Sequence, residues 1–210
     1  MIVLGLDTCL TSCSVAVFDG ARVLASAREV MARGHQERLA PMARQVMGEA
    51  GLSFERLERI GVTVGPGSFT GLRVGIAFAK GLATALSLPA CGIGTLEALA
   101  VQGGDGLVFA VIDARRDQLY LQGFEAGRPL MAPDALAAPT AAARIAELSQ
   151  GRHFTLVGSG APLLAAFAPG ALAVPSDGAD ARDVARLAAA RSPAPLRPLY
   201  LRAPDAKLPA

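Results

Sequence analysis

The sequence has no tryptophan, few other aromatic residues and almost no excess of one charge sign. Aromatic residues make up 5% of the 210 residues, which favours close packing of small side chains over an aromatic ligand platform. The 20 lysines and arginines are offset by 18 aspartates and glutamates. The chain therefore lacks the strong positive field of an autonomous nucleic-acid-binding protein, and any nucleic-acid contact is expected to be shared with a partner.

Cysteine and histidine are also scarce. The three cysteines, Cys9, Cys13 and Cys91, are an odd number at spacings that fit no disulfide framework, so we expect free core thiols and a reducing cytoplasm. The two histidines, His35 and His153, are far apart and form no HxxxH or HExxH pair. Because a catalytic metal needs several converging ligands, we expect no bound metal.

Targeting signals are equally weak. The N-terminus lacks a basic region and a cleavage site around its short apolar run, so we expect no signal peptide. Arg73 and Lys80 interrupt the most hydrophobic stretch, and no run approaches the roughly 20 apolar residues that span a bilayer. These observations predict a soluble, cytoplasmic protein without a membrane partner.

What the chain does have is a large apolar fraction, 52%, enough for a substantial core in one or two small domains. Short β-prone runs predict three antiparallel strands, at Ile2–Leu6, Ser14–Phe18 and Val23–Arg28. Helical spacing then predicts a helix that begins at His35, and a strand at Arg59–Val64 and a second helix at Phe69–Leu86 follow it. The glycine-rich stretch 102–106 is the best linker. We place one lobe at residues 1–102 and a second, reduced lobe at 103–210, whose C-terminal segment could return to the first.

The segment Gly65–Arg73 follows a predicted strand and opens a predicted helix. Backbone N–H groups at such a helix start can bind an anion, and Ser68 or Thr70 can cap the helix. The segment lacks the Gly-Lys-Ser/Thr ending of a phosphate-binding Walker A loop. Two interpretations stay open here, an anion cradle or a tight strand-to-helix turn whose glycines permit unusual backbone angles.

The helix after this turn is apolar on almost every face. Gly71, Gly75 and Ala79 recur every four residues and form a smooth stripe that another helix could approach closely. Such a helix either lies at the centre of a core or is covered by a partner subunit. We predict a partner interface formed by this helix and the preceding one, through Leu39, Met42, Val46, Phe69, Gly71, Arg73, Gly75 and Ala79.

A polar segment joins the first two predicted strands, where actin-like ATPases keep a phosphate loop. Asp7 could hold magnesium through water, and the hydroxyls of Thr8 and Ser12 could contact phosphate. Asp113 is the counterpart in the second half, but alanine and two arginines follow it where phosphate loops usually have glycine. We therefore predict a vestigial nucleotide site at most, and the alternative is a polar hairpin turn.

Together these segments resemble the TsaB (YeaZ) family of bacterial tRNA threonylcarbamoyladenosine biosynthesis proteins, in the glycoprotease-like branch of the actin-like ATPase superfamily. The resemblance covers nearly the whole chain, and Gly65–Arg73 is its most specific part. The other residues that carry it are Leu4–Thr8, His35, Leu39, Pro41, Gly75, Lys80, Asp113–Arg115, Tyr120 and Pro198–Arg202.

The resemblance implies an α/β fold of two actin-like (ribonuclease H-like) lobes, the second reduced. It also implies a non-catalytic subunit that supports a TsaD-like catalytic paralogue, with a TsaE-like ATPase, in the complex that transfers a threonylcarbamoyl group to N6 of adenosine 37 in tRNA. The expected partners include tRNA through that complex and a second copy of this chain when it is alone. No cofactor should bind tightly, and ATP only within the assembled complex.

One departure limits the expected chemistry. TsaD-like members have paired histidines in their first helix region, whereas this chain has only His35, followed by Gln36 and Glu37. We therefore expect no catalytic residue and no activity of the chain alone. The alternative is an independent ATP-dependent kinase or hydrolase of the actin-like class; a glycoprotease would need a metal or nucleophile that the sequence does not supply.

Overall fold

Two β-sheets, each covered by helices, make up the computed structural model, which describes residues 1–168, 170–193 and 195–202. The first sheet has the strand order β3-β2-β1-β4-β5. Its strands are β1 (Val3–Asp7), β2 (Ser12–Phe18), β3 (Val23–Val30), β4 (Arg59–Thr63) and β5 (Ala90–Ile93). β1 pairs antiparallel with β2 and parallel with β4, so the opening meander continues into a parallel half.

Helices cover both faces of this sheet. α1 (His35–Glu49) and α2 (Phe69–Leu86) share one face, and α6 (Ala181–Ala189) packs against the other, across β1, β2 and β4. Successive strand residues alternate between the faces: Leu4 and Leu6 contact the α1–α2 side, and Val3 the α6 side. The C-terminal helix thus belongs to the first lobe, although the second lobe precedes it in sequence.

The second sheet has the order β11-β10-β6-β7-β8, with β9 also paired to β7. Its strands are β6 (Leu107–Arg115), β7 (Gln118–Glu125), β8 (Arg128–Pro129), β9 (Asp134–Ala137), β10 (Thr155–Val157) and β11 (Leu172–Val174). α3 (Thr95–Val101) lies between the lobes, and α4 (Ala138–Ser149) and α5 (Ala161–Ala165) pack on the second sheet. The predicted extension of this lobe to residue 210 partly falls outside the described residues, at 203–210.

The predicted meander, the strand β4 and both long helices of the first lobe are confirmed within three residues at each end. The short elements β8, β9, β11 and α5 were not predicted. Runs of two to five residues carry too few positions to show a period, and only their pairing with longer strands orders them. The prediction of free core thiols is confirmed, since all three cysteines are free and buried.

α2 is, among the described residues, the one helix long and apolar enough to cross a membrane by length and composition alone. The core helix of a soluble protein passes the same test. Only 28% of α2 is buried, because one side packs on the sheet and the rest faces outward. Its outer apolar side is therefore an exposed surface.

Candidate functional site

A groove of about 510 Å³ runs between α1 and α2 on the outside of the first lobe. It is lined by Gln36, Leu39, Ala40, Phe69, Thr70, Arg73, Val74, Ala77 and Phe78. Most of these side chains are apolar, and Arg73 is the one charged group among them. A groove of this shape and chemistry is suited to a helix or an apolar side chain of another molecule.

The first turn of α2 forms one end of this groove. Ser68 is the N-cap, and its Oγ accepts a hydrogen bond from the Gly71 amide at 3.3 Å, which confirms one of the two predicted caps. The cap directs the first turn so that Phe69 and Arg73 point outward, and Phe69 is 44% exposed. The turn thus presents a large aromatic ring at the surface.

The glycine stripe of α2 faces the protein's own β1–β2 turn. Thr8 Oγ1 donates a hydrogen bond to the Gly71 carbonyl at 2.7 Å, and a Cβ on Gly75 would lie 2.5 Å from the same hydroxyl. Ala79 is fully buried. We predicted that this stripe contacts a partner; instead its small residues allow α2 to approach the turn, so a partner docked on the surface cannot reach them.

The α1 residues that were predicted to contact a partner are also buried inside the lobe. Leu39, Met42 and Val46 are each at most 1% exposed and pack in the core with the sheet; only Leu39 also lines the groove. The helical period correctly grouped these residues on one face, but that face meets the sheet. Of the eight residues predicted for the interface, Phe69 and Arg73 are the two that lie at the surface.

These two residues form a small cluster with the C-terminal segment. The Arg73 guanidinium lies 3.6 Å from the centre of the Phe69 ring, a cation–π contact. Phe69 and Tyr200 have ring centroids 5.6 Å apart, and Arg73 Nε donates to the Tyr200 hydroxyl at 3.3 Å. Arginine and aromatic side chains of this kind dominate the energetics of many protein interfaces.

A second cavity, about 740 Å³, lies between the two lobes. Its first-lobe wall includes Leu10, Thr11, Gly67 and Ser68; its second-lobe wall includes Ile112, Asp113, Arg115, Tyr120 and Ser159; Tyr200 and Arg202 of the C-terminal segment also line it. Only Asp113 of the four predicted nucleotide residues lines it.

Asp7, Thr8 and Ser12 are fully buried. Thr8 packs against α2, and Asp7 and Ser12 lie against the segment that returns from the second lobe. Asp7 Oδ1 accepts hydrogen bonds from Thr63 Oγ1 at 2.6 Å and from the Cys9 amide at 3.2 Å. A Cβ on Gly178 would lie 3.1 Å from Asp7 Oδ2 and would collide with Ser12 Oγ. The backbone of Gly178 therefore covers this carboxylate, and only glycine fits there.

Burial leaves the Asp7 carboxyl group poorly solvated. Oδ2 and Ser12 Oγ have no hydrogen-bond partner, although the nearby Ala179 amide favours the charged form. Desolvation raises the pKa of Asp7 from 3.8 to about 6, against the lowering effect of the Thr63 hydrogen bond. Burial likewise raises the pKa of the Cys9 thiol to about 12. Neither group is exposed to a ligand in the cleft.

The second-lobe counterpart is engaged in a local turn. Asp113 Oδ1 accepts from the Arg115 amide at 2.8 Å, and its own amide donates to Ser159 Oγ at 3.1 Å. Arg115, Arg116 and Asp117 all have positive φ angles of 54° to 63°, an uncommon conformation for residues with side chains. The Asp113 carboxylate thus stabilises a tight hairpin. This hairpin has arginine side chains where a phosphate loop would have glycine.

No cluster of three or more histidine, cysteine, aspartate or glutamate side chains that could hold a metal occurs in the described part of the chain. His35 begins α1, is 8% exposed, and its Nε2 has no hydrogen-bond partner. The groove between α1 and α2 and the cleft between the lobes are therefore the candidate recognition surfaces.

Sequence reasoning recognised that α2 is apolar on almost every face but assigned the partner contact to the glycine stripe, and it did not place the C-terminal residue Tyr200 against the outer side of the helix. Val74, Ala77 and Phe78 follow Phe69 and Arg73 at helical spacing, so the same period that revealed the glycine stripe also contained this second apolar face. Tyr200 could not be placed beside Phe69, because 130 residues separate them.

Comparison with known proteins identifies the family. The family model described as TsaD, tRNA N6-adenosine threonylcarbamoyltransferase, matches residues 23–185. The Escherichia coli tRNA threonylcarbamoyladenosine biosynthesis protein TsaB is 37% identical over 124 residues, which are 57% of this chain and 53% of that protein. The Bacillus subtilis protein of the same name is 34% identical over a similar share.

Solved structures agree. YeaZ from Pseudomonas aeruginosa superposes with a TM-score of 0.81 at 29% identity, over 95% of this chain and 99% of that chain. A ROK hexokinase from Thermus thermophilus matches with a TM-score of 0.51 at 18% identity, over 90% and 97% of the chains, a likeness of fold alone that confirms the predicted actin-like class. The chain therefore belongs to the TsaD family of tRNA N6-adenosine threonylcarbamoyltransferases, in its TsaB (YeaZ) group.

Proposed function

We propose that this chain is a subunit of the machinery that makes threonylcarbamoyladenosine in tRNA, and that it acts by docking its α1–α2 groove onto a TsaD-like catalytic subunit. The proposal is supported by the relatives named for that biosynthesis, at 34–37% identity. The observation that carries the docking step is the outer side of α2, where Phe69 is 44% exposed and Val74 and Phe78 are partly exposed.

The groove has the composition of an interface core. Phe69, Val74 and Phe78 provide apolar contact area, and Arg73 is held above the Phe69 ring. An arginine already oriented by a ring loses little conformational freedom when it binds a partner. Exposed apolar side chains along one helix face are costly for an isolated soluble protein, so burying them against a partner helix favours association.

We propose that the same surface would also form a homodimer when the chain is alone, since a second copy presents the same pair of helices. A two-fold contact would place α1 and α2 of one copy against those of the other. The TsaD-like subunit would then compete with the second copy for one groove.

The catalytic step is assigned to the partner. Threonylcarbamoyl transfer needs groups that bind and activate the acyl donor, and the described residues hold no cluster of three or more side chains that could supply a metal for that step. Asp7 and Ser12 are covered by Gly178, which argues against the alternative of an independent ATP-dependent kinase or hydrolase. ATP, a TsaE-like ATPase and tRNA are proposed to act in the assembled complex, in the cytoplasm.

The docking proposal is tested by co-purification with a TsaD-like subunit. Phe69→Ala and Arg73→Glu should each weaken retention of the partner about tenfold or more, whereas Phe167→Ala is the matched control, because Phe167 is 53% exposed on the second lobe. Equal retention of the partner by parent, Phe69→Ala and Arg73→Glu proteins of unchanged melting temperature would rule out this groove.

The pathway is tested separately. Depletion of the chain in its host should lower threonylcarbamoyladenosine in digested tRNA, measured by mass spectrometry, and the parent sequence should restore it. Restoration by the Arg73→Glu variant to the parental level would show that docking through this groove is not what the modification requires.

A further inference from the structure

The C-terminal segment Leu196–Arg202, here called the strap, crosses from the first lobe to the second. Leu196 is buried in the core of the first lobe, and the Leu199 amide donates to the Val64 carbonyl at 2.7 Å. Tyr200 then packs on Phe69. The strap is thus attached to the first lobe along most of its length.

Its end reaches the second lobe. Arg202 Nη1 donates a hydrogen bond to the Ala114 carbonyl at 3.0 Å, near the end of β6. Tyr200 and Arg202 both line the cavity between the lobes, so the strap closes one side of that cavity. It connects the two lobes by contacts additional to the covalent chain.

The two covalent connections between the lobes lie next to each other and apart from the strap. The chain passes between lobes at 102–106 and again at 175–180, and Gln102 joins the two passages: its Nε2 donates to the Gly178 carbonyl at 3.2 Å, and its Oε1 accepts from Ser176 Oγ at 3.0 Å. When two lobes are joined by two adjacent connections, rotation about those connections is the motion that costs the least energy, as in hinged domains.

The strap contact and the covalent connections lie on different strands of the second sheet. Val174, which precedes the second passage, is level with Ala110 across β10, whereas Arg202 meets the sheet at Ala114 of β6. Because the strap joins the lobes at a point other than the two connections, it restricts rotation about them.

We propose that the strap is a clasp that holds the cleft between the lobes closed, through Tyr200 on the first lobe and Arg202 on the second. The hinge formed by Gln102, Ser176 and Gly178 allows the lobes to open when the clasp is released. Because Tyr200 rests on Phe69 and Arg73, the clasp is attached at the edge of the α1–α2 groove.

The test measures the distance between lobes in solution. Gly48→Cys in α1 and Ala143→Cys in α4 introduce exposed cysteines, and a Cβ at Gly48 has no neighbour within 4 Å. The three native cysteines are buried, so nitroxide labels attach to the new sites. Double electron–electron resonance then reports the separation of the lobes.

The full-length, doubly labelled chain is the reference. Three variants are compared with it: a chain that ends at Arg202, a chain that ends at Leu199, and the full-length chain with Arg202→Ala. Ending at Arg202 keeps the clasp and should leave the distance distribution unchanged. Ending at Leu199 keeps the Val64 contact but removes the clasp, and should give a longer and broader distribution. Arg202→Ala should shift it in the same direction, and it decides the matter if the shorter chain does not fold.

Unchanged distances in Arg202→Ala and in the chain ending at Leu199 would overturn the proposal. So would an equal opening in the chain that ends at Arg202, because the closing contact would then lie beyond the strap.

Discussion

The buried carboxyl group of Asp7 makes the free energy of unfolding depend on pH, and a single substitution should remove this part of the pH dependence. Its Oδ2 and the Ser12 hydroxyl both lie under Gly178 without hydrogen-bond partners. Asp7→Asn keeps an oxygen to accept from Thr63 and Cys9, and it replaces Oδ2 with an amide donor. The variant therefore removes a desolvated charge without changing the shape of the site.

The magnitude follows from the pKa of 3.8 for the free carboxyl and about 6 in the folded protein. Since the folded state binds the proton more tightly, the stabilisation is full below pH 3.8 and is lost as the pH rises through 6. The difference of about 2 pKa units corresponds to roughly 3 kcal/mol above pH 7, of which about 1 kcal/mol is already lost at pH 4.5. The parent should therefore lose roughly 2 kcal/mol relative to Asp7→Asn between pH 4.5 and pH 8.

Urea unfolding of both proteins at a series of pH values measures this difference. Every other titrating group is present in both chains, so subtracting one curve from the other isolates residue 7. A difference that does not change with pH would refute the reasoning, because Asp7 would then titrate alike in the folded and unfolded states. A lower stability of Asp7→Asn at pH 8 would show that the carboxylate is stabilised by contacts other than its hydrogen bonds with Thr63 and Cys9.

Other predictions concern packing and reactivity. Gly75→Leu should lower the free energy of unfolding by about 1–3 kcal/mol, because its side chain would collide with Thr8 inside the lobe; equal urea midpoints for parent and variant would contradict this. Gly81→Ala, at an exposed helix position with no neighbour within 4 Å, should raise it by about 0.5–1 kcal/mol, as the same titration would measure. The three buried cysteines should not react with a thiol reagent in the folded protein and should all react in urea; rapid reaction of a native thiol would place it at the surface.

Much of the fold and part of the site follow from local signals. The alternating strands, the long helical periods and the strand-to-helix turn at Gly65–Arg73 predict the elements of the first lobe, because strand and helix periods are properties of neighbouring residues. The turn also predicts the Ser68 cap, since capping involves residues only three apart. Phe69 and Arg73 at the surface follow from the same turn.

What the sequence alone determined is therefore which residues share a face and which motif opens α2. Only the tertiary structure decided what each face meets. The glycine stripe packs on Thr8, and Asp7 is covered by Gly178, a residue more than 170 positions away in the chain. Period and motif are local, whereas burial depends on which distant segment covers a side chain. Only the folded protein therefore shows which side of α2 stays exposed and that Tyr200 packs on Phe69.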